Sequence, residues 1–412
     1  MSIKHDRLNT LQIRDNQLLI AGRTASELVT MAGGSPCYVY DRSVLTERAE
    51  QLRQQMPDQL QLHYAIKANP MPAVVGHMAR LVDGLDVASH QEMLVALGSG
   101  VSPDNISFAG PAKGIDELKA AVVAGITINV ESPLELERLY QCHSDLGIKP
   151  RVAFRVNPDF ELKASGMKMA GGPKQFGIDA EQMPDIMKSL DGTKVAFQGF
   201  HIFSGSQNLK ADALIDCHQK TFDLAERLAE LTPDSVQHIN IGGGLGIPYF
   251  PGEQTLELAG ISENLHRLLE QRSAGLKNGR FIMELGRYLV GEAGYYICQV
   301  TDKKSSRGQT FLMTNGGLHH HLSNSGNFGQ VIRKNYPVVL ANRIEAESKE
   351  VVEIVGPLCT PLDIVGAKLE LPVARVGDFV AVLQSGAYGA TASPQAFLSH
   401  PEVRELLVSS CY

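Results

Sequence analysis

Residues 63–70, HYAIKANP, combine a short apolar strand with a lysine at the point where the strand ends. His63 to Ile66 are compatible with a strand, and the following Ala-Asn-Pro sequence ends it with turn residues. A lysine where a strand leaves the core must be paired, neutralised or used chemically, because burying an ammonium group is costly. Lys67 is therefore either an ordinary lysine whose ammonium group reaches solvent or a functional residue.

Short apolar runs of the same kind alternate with amphipathic helical segments over residues 36–285. The runs that indicate strands are CYVYD, LHYAIKAN, GLDVAS, ISFAG, ITINVES, RVAFRVNP, GFHIFSGS, HINIGGG and FIMELGR. Strands that alternate with helices predict a parallel sheet, and about eight such units over roughly 250 residues favour a closed (β/α)8 barrel. The GxGxxG fingerprint of open dinucleotide-binding folds does not follow the first strand.

The sequence pattern changes after about residue 290. Alternating, β-branched runs follow one another without helices between them, which is typical of an antiparallel sheet. The first 35 residues also contain strand-like pieces that can join this sheet. We therefore predict an α/β chain with a (β/α)8 barrel over residues 36–285 and an antiparallel β domain built from residues 1–35 plus 286–412.

Composition restricts the partners and the compartment. A chain of 412 residues is long enough for two domains, and its net charge of −7 argues against nucleic acid or an anionic membrane as the main partner. The six cysteines are scattered without a CxxC pair, which indicates a reducing compartment. Neither a signal-peptide core nor an apolar run of membrane-spanning length is present, so we expect a cytoplasmic protein.

Several polar residues fall at the ends of predicted barrel strands, where the active sites of such barrels lie. They are Lys67, Asp86, His201, Glu284 and Arg287. Each has an ordinary alternative: Asp86 as a turn residue, His201 as a hydrogen-bonded core histidine, and Glu284–Arg287 as a surface pair.

A glycine run, GGGLG at residues 242–246, follows a late strand of the barrel. Successive glycines let backbone amides surround a phosphate, although a tight loop without a ligand would use the same residues. A lysine amine, a phosphate site and a carboxylate together match the needs of pyridoxal phosphate, an aldehyde that forms a Schiff base with lysine. This hypothesis would explain why a lysine stands at the end of the strand.

The sequence also resembles a family, the barrel-type (fold type III) pyridoxal-phosphate decarboxylases, which include diaminopimelate, ornithine and arginine decarboxylases and share the alanine racemase fold. The motifs that carry the resemblance occur in the family's order: YAIKAN, GLDVASHQE, FHIFSGSQ, GGGLGIPY, ELGR, GPLCTPLD and GAYG. The resemblance implies a barrel followed by a β domain. It also implies a head-to-tail homodimer in which each active site is completed by the partner chain.

The resemblance assigns a role to each matching residue. Lys67 would carry the cofactor, His201 would stack on its ring, and Asp86 would lie near both. Glu284 would pair with the ring nitrogen, which makes the ring an electron sink. Cys359, from the other subunit, would protonate the quinonoid intermediate that follows the external aldimine. The remaining expected contacts are with the phosphate: Ser204, Gly244, Arg287 and Tyr388.

Two departures from the family pattern concern the substrate. Diaminopimelate and ornithine enzymes carry an acidic residue after the catalytic cysteine to hold a distal ammonium, whereas this chain has Thr360. Diaminopimelate enzymes also hold the distal carboxylate with an arginine whose place Ser323 or a neighbour takes here, unless Arg333 substitutes. Because each lost charge-assisted hydrogen bond costs roughly 1.5–3 kcal/mol, both changes argue against free diaminopimelate. The candidate substrate-contacting residues are Thr360, Asp363, Ser323 and Arg333.

The segment HHHLSNSGNFGQVIRKNYP, residues 319–337, is similar to that of exosortase-cluster-associated decarboxylases and of decarboxylases acting on glutamyl-carrier-protein thioesters. Its three adjacent histidines are not expected to form a metal site, because neighbours on a strand point to opposite sides. We therefore expect a pyridoxal-phosphate decarboxylase of an α-amino acid or its conjugate, including a carrier-protein-tethered one. Diaminopimelate decarboxylase, which makes lysine, is the alternative, and an amino-acid racemase on the same fold is a further one.

Overall fold

A computed structural model describes residues 5–163, 166–232, 235–328, 330, 333–345 and 347–410. Its strands, in chain order, are β1 (Gln12–Arg14), β2 (Gln17–Ile20), β3 (Arg23–Thr24), β4 (Cys37–Asp41), β5 (Leu60–Ala65), β6 (Gly84–Val87), β7 (Ile106–Phe108), β8 (Thr127–Val130), β9 (Arg151–Asn157), β10 (Met167–Lys168), β11 (Ile178–Asp179), β12 (Ala196–Ile202), β13 (Gly205–Ser206), β14 (His238–Asn240), β15 (Arg280–Leu285), β16 (Gly294–Ser306), β17 (Gln309–Thr314), β18 (Val338–Leu340), β19 (Lys349–Val355), β20 (Ile364–Pro372), β21 (Phe379–Val382) and β22 (Arg404–Val408).

The α-helices lie mostly between the strands of the first half of the chain. They are α1 (Ala25–Ala32), α2 (Arg42–Gln55), α3 (Pro72–Met78), α4 (His90–Gly98), α5 (Ile115–Ala124), α6 (Pro133–Leu146), α7 (Met183–Ser189), α8 (Ala211–Ala229), α9 (Ala259–Gln271), α10 (Arg287–Val290) and α11 (Leu322–Ser325).

The chain divides into two compact units. One, the barrel unit, comprises residues 48–247 and 255–289. The other, the β unit, comprises residues 1–47, 248–254 and 290–412. The insertion of residues 248–254 into the β unit is a feature that the sequence pattern did not indicate.

The barrel unit contains a closed parallel sheet of eight strands. Their order is β5-β6-β7-β8-β9-β12-β14-β15, and pairing of β15 with β5 closes the ring. The strands are almost continuously buried, as expected when helices cover a barrel whose interior is filled by side chains. The predicted (β/α)8 barrel is therefore confirmed.

A serine caps the helix in each of the two turns that lead from β6 into α4 and from β8 into α6. The Ser89 hydroxyl accepts a hydrogen bond from the amide of Glu92 at 3.2 Å, and Ser132 does the same for Glu135 at 3.1 Å. A serine that caps the first turn of a helix fixes where the preceding strand ends. These caps hold the carboxyl ends of the strands, where the predicted site residues lie.

One predicted barrel strand belongs to the other unit. β4, the CYVYD run, pairs antiparallel with β16 and parallel with β22, so its assignment to the barrel was wrong. The five residues of β4 are all buried, and a short, fully buried run looks the same in a barrel strand and in the centre of another sheet.

The sheet of the β unit is mixed rather than purely antiparallel. Its strand order is β18-β21-β16-β17-β19-β20, with β4 and β22 attached through β16. Most neighbours are antiparallel, but β17 and β19 run parallel, as do β4 and β22. The connection between β17 and β19 is long enough for the crossover that a parallel pair requires.

The N-terminal strands join the β unit, as the sequence suggested. The amide of Leu18 donates to the carbonyl oxygen of Ala341 at 2.7 Å. Leu18, Ile20 and Leu28 are buried in one apolar cluster with residues of β4 and β16. In the part of the chain that the structure describes, no helix is long and apolar enough to cross a membrane.

Candidate active site

Lys67 and Glu284 form the centre of a polar cluster at the carboxyl ends of the barrel strands. Lys67 lies in a short turn directly after β5, and its ammonium nitrogen is 3.1 Å from the Glu284 Oε1 atom on the neighbouring strand β15. The Glu284 side chain is 4% exposed, whereas that of Lys67 is 42% exposed. Lys67 is thus paired, one of the outcomes that the sequence argument allowed, and its side chain is partly exposed in the single chain.

Glu284 is ionised. Burial opposes its ionisation, but the Lys67 ammonium group and the His201 imidazole hold the pKa of this carboxyl well below its ordinary value. The Nε2 atom of His201 lies 3.2 Å from Glu284 Oε2, and both side chains are buried. An ionised carboxylate in this position suits a protonated ring nitrogen or another cationic group.

Asn240 is a member of the cluster that the sequence argument missed. Its side-chain amide lies 3.5 Å from Glu284 Oε2, and its side-chain oxygen accepts a hydrogen bond from the amide of Gly242 at 2.8 Å. Asn240 thereby links the carboxylate to the glycine loop. A polar residue in the buried strand just before GGG was the signal that could have revealed it.

Asp86 lies at the end of β6 and is held by its neighbours inside the barrel. Its Oδ1 atom accepts a hydrogen bond from the Ser107 hydroxyl at 2.5 Å and lies 3.2 Å from His63 Nδ1. Asn129 in turn donates to the Ser107 oxygen at 3.2 Å. Among the described residues, the Asp86 Oδ2 atom is buried without a hydrogen-bond partner, so one oxygen is available for a ligand.

The glycine loop is packed too closely for side chains. A Cβ atom on Gly243 would lie 2.0 Å from the carbonyl oxygen of Glu284. Gly244 has a φ of +90°, and a Cβ there would lie 3.0 Å from Leu214. Within the described ranges the buried amide of Gly244 donates no hydrogen bond, and a buried amide without an acceptor is typical of an anion site.

Ser204 and Arg287 are also in the barrel unit. Ser204 is buried in the loop after β12, next to the strand β13 that packs near Gly244. Arg287 follows β15 by two residues and is half-buried. Their predicted contacts with a phosphate stay predictions.

The other predicted site residues lie in the β unit. Cys359 is exposed in the loop between β19 and β20, next to Thr360. Asp363, three residues further on, is buried, and its two carboxylate oxygens accept hydrogen bonds from the amides of Leu318 and Leu358 at 2.6 and 2.8 Å. Asp363 therefore holds two loops together, and its contact with a substrate stays a prediction.

The Ser323 and Arg333 side chains also bind neighbouring backbone or side-chain groups. The Ser323 hydroxyl donates to the carbonyl oxygen of Tyr388 at 2.8 Å. Arg333 donates through Nε to the carbonyl oxygen of Ser325 at 3.1 Å and through Nη1 to Asn335 at 2.6 Å. Among the described residues the Arg333 Nη2 atom is buried without a hydrogen-bond partner, and the roles of both side chains toward a substrate stay predictions.

The three histidines do not lie on a strand, so the argument from alternating strand residues was based on the wrong local structure. His320 and His321 both donate their amides to the carbonyl oxygen of Gly317, which makes a turn. The Nε2 atom of His320 lies 2.9 Å from the carbonyl oxygen of Pro401, and that of His321 lies 2.9 Å from the Ser385 hydroxyl. Across the described residues, no group of three ligand-type side chains is arranged for a metal ion.

Comparison with known proteins assigns the family. Residues 42–291 match the pyridoxal-binding domain of the pyridoxal-dependent decarboxylases, and the chain belongs to this family. It is therefore a carboxy-lyase that acts on an amino acid or an amino-acid conjugate, and pyridoxal phosphate is its cofactor.

Two curated relatives span nearly the whole chain. The L-glutamyl-[BtrI acyl-carrier protein] decarboxylase of Niallia circulans is 36% identical over 90% of this chain and 88% of its own length. The diaminopimelate decarboxylase of Aquifex aeolicus is 33% identical over 97% of this chain and 92% of its own. A crystal structure of diaminopimelate decarboxylase from Methanocaldococcus jannaschii superposes with a TM-score of 0.85 at 28% identity, over 97% of this chain and 93% of that one.

The residues of the barrel unit fit this cofactor. They supply a primary amine at Lys67, an ionised buried carboxylate at Glu284 and, at Gly244, a buried amide that lacks an acceptor among the described residues. An aldehyde that carries a phosphate and a basic ring nitrogen needs these three groups.

Proposed function

We propose that this enzyme decarboxylates an α-amino acid whose distal end is capped, as in an amide or in a thioester to a carrier protein. The observation that carries the proposal is the lack of an acidic residue after Cys359 to hold a distal ammonium, together with the hydrogen bonds that Arg333 already makes within the chain. Thr360 is neutral, and two donor groups of Arg333 already bind Ser325 and Asn335. A substrate with a free ammonium and carboxylate at its far end would leave both charges without these partners.

The barrel residues would hold the cofactor at three points. Lys67 would bind it covalently through its amine, Glu284 would accept a hydrogen bond from its protonated ring nitrogen, and the Gly244 amide would donate to its phosphate. Ser204, Arg287 and Tyr388 would add further phosphate contacts. When bound, pyridoxal phosphate supplies an electron sink for the electron pair that remains on the substrate when carbon dioxide leaves.

Cys359 would deliver a proton to the substrate Cα after carbon dioxide has left. Its thiol is exposed in the single chain, in a loop that also exposes the apolar side chain of Leu362. The resemblance to the family implies that such a cysteine acts in the active site of a partner chain. We therefore infer a homodimer with shared active sites, in which Cys359 serves the site of the other subunit.

Diaminopimelate decarboxylation is the second candidate function. It is favoured by the Aquifex aeolicus relative, whose similarity extends over 97% of this chain. Racemisation is disfavoured because Glu284 is acidic, and a carboxylate at the ring nitrogen stabilises the electron sink that decarboxylation requires. The fold alone does not separate these activities.

The test is an assay of the cofactor-loaded protein with three substrates: γ-glutamyl thioester on an acyl-carrier protein, a small γ-glutamyl thioester, and meso-diaminopimelate. We expect carbon dioxide release from the capped substrates. Racemised substrate without carbon dioxide would indicate a racemase. Turnover of meso-diaminopimelate with kcat/KM of about 10⁴ M⁻¹s⁻¹ or more would contradict the capped-substrate proposal.

A further inference from the structure

The β unit contains a cleft of about 940 Å³ whose lining residues all belong to that unit. Its floor is apolar and includes Leu8, Leu11 and Ile344, which pack against the buried core of the unit. Strand β18 and the end of β20 form its walls. The cleft is thus a concave surface with an apolar floor and polar side chains around it, a form that suits a docking site.

The rim of this cleft is basic. Lys334, Lys349 and Lys368 line it with exposed side chains, whereas Glu370 is the acidic residue of the lining. In the described part of the chain none of these three lysines lies in an ion pair. The whole chain carries a net charge of −7, so a positive rim here is a local departure that favours an acidic partner.

A hydrogen bond connects the edge of the cleft to the segment around Ser323, which is predicted to contact the substrate. Arg333, at its edge, donates to the carbonyl oxygen of Ser325, two residues from Ser323. Asn335 exchanges two hydrogen bonds with the backbone of Ala367 at 2.7 and 2.9 Å, which ties the two walls together. A protein bound in the cleft would therefore contact residues that are hydrogen-bonded to the segment around Ser323.

From these observations we propose that the cleft docks an acidic carrier protein that presents the amino acid as a thioester. The proposal rests on the proposed function, because a free amino acid would need no such surface. The rim lysines would attract the carrier and the apolar floor would accept its non-polar side chains. Rim charges of this kind mainly affect encounter and affinity, so KM should depend on them and kcat should not.

The test uses the triple variant Lys334→Glu/Lys349→Glu/Lys368→Glu of the cofactor-loaded protein. Its matched control is Lys188→Glu/Lys277→Glu/Lys304→Glu, which changes the net charge equally at exposed lysines outside the cleft. The substrates are glutamate loaded on an acyl-carrier protein and a small γ-glutamyl thioester. We expect the cleft variant to raise KM for the loaded carrier by about tenfold or more, with kcat and the small thioester unaffected.

Other results would overturn the proposal. If both triple variants raise KM for the loaded carrier equally, only the overall charge of the enzyme matters. If neither variant changes KM, the carrier docks elsewhere. Dissociation of a dimer by the cleft variant, measured by sedimentation, would show that a second copy of the chain occupies the cleft. If the wild-type protein decarboxylates the small thioester but not the loaded carrier, the docking proposal fails alone. If it decarboxylates neither, the proposed function fails as well.

Discussion

The barrel unit and the β unit place their polar side chains in opposite ways. In the barrel unit, Lys67 and His201 each place a nitrogen within 3.2 Å of a Glu284 carboxylate oxygen. In the β unit, Asp363 and Ser323 bind backbone groups of neighbouring loops instead. The first arrangement suits chemistry that depends on charge, and the second fixes the positions of neighbouring loops. We infer that the barrel unit supplies the charged groups that hold the cofactor, whereas the β unit supplies the Cys359 acid and determines which substrates are accepted.

The largest expected effect comes from removing the amine. Lys67→Ala should lower kcat by about 10³-fold or more, because Lys67 supplies the amine that stands opposite Glu284. Borohydride reduction should fix the cofactor on the peptide that carries Lys67 in the wild-type protein and should fix none in the variant. Lys119→Ala, a change in a surface ion pair, is the control. Covalent cofactor in the Lys67→Ala protein after reduction would refute the assignment.

Cys359→Ala should lower kcat by roughly 10²- to 10⁴-fold, the usual contribution of a general acid. Cofactor binding, followed by its absorption spectrum, should be unchanged because the thiol lies outside the barrel unit. Mixing the inactive Lys67→Ala and Cys359→Ala chains should restore activity, because hybrid dimers contain one intact site. If subunits exchange and no activity returns, each site lies within a single chain.

Thr360→Glu, a change in the β unit, should alter which substrate the enzyme prefers. An added carboxylate next to Cys359 would provide a charge-assisted hydrogen bond for a distal ammonium, worth roughly 1.5–3 kcal/mol. We therefore expect kcat/KM for meso-diaminopimelate to rise by about 10-fold or more, with a fall for a capped substrate. Ser306→Glu, at the exposed end of β16, is the control. An unchanged ratio would place Thr360 away from the distal end of the substrate.

The smallest effect is on stability. Asp363→Asn removes one of the two acceptors that hold the amides of Leu318 and Leu358, which should lower the free energy of unfolding by about 1–3 kcal/mol. Denaturant unfolding of the cofactor-loaded protein measures it, with Asp58→Asn at an exposed site as the control. A loss of kcat/KM without a loss of stability would instead mean that Asp363 binds the substrate.

The sequence predicted the barrel and its charged cluster well because those features repeat and are local. Each barrel strand is a short apolar run, and the polar residues Lys67, His201 and Glu284 stand at strand ends. Pairing across a long separation was not predictable: β4 joins β16 some 250 residues later. Contacts made by side chains with the backbone, such as those of Asp363 and Arg333, leave no pattern in the sequence. Asn240 is different, because a polar residue directly before the glycine run was visible in the sequence and was overlooked.

The central claim is that the β unit accepts a capped distal end, and a competition assay tests it most directly. The wild-type enzyme is given equal concentrations of a small γ-glutamyl thioester and meso-diaminopimelate, and the two decarboxylated products are measured at early times. Their ratio equals the ratio of kcat/KM. We predict an excess of the capped product of about 10²-fold or more, because two charge-assisted hydrogen bonds to a free distal end are missing. Lysine as the main product would contradict the account.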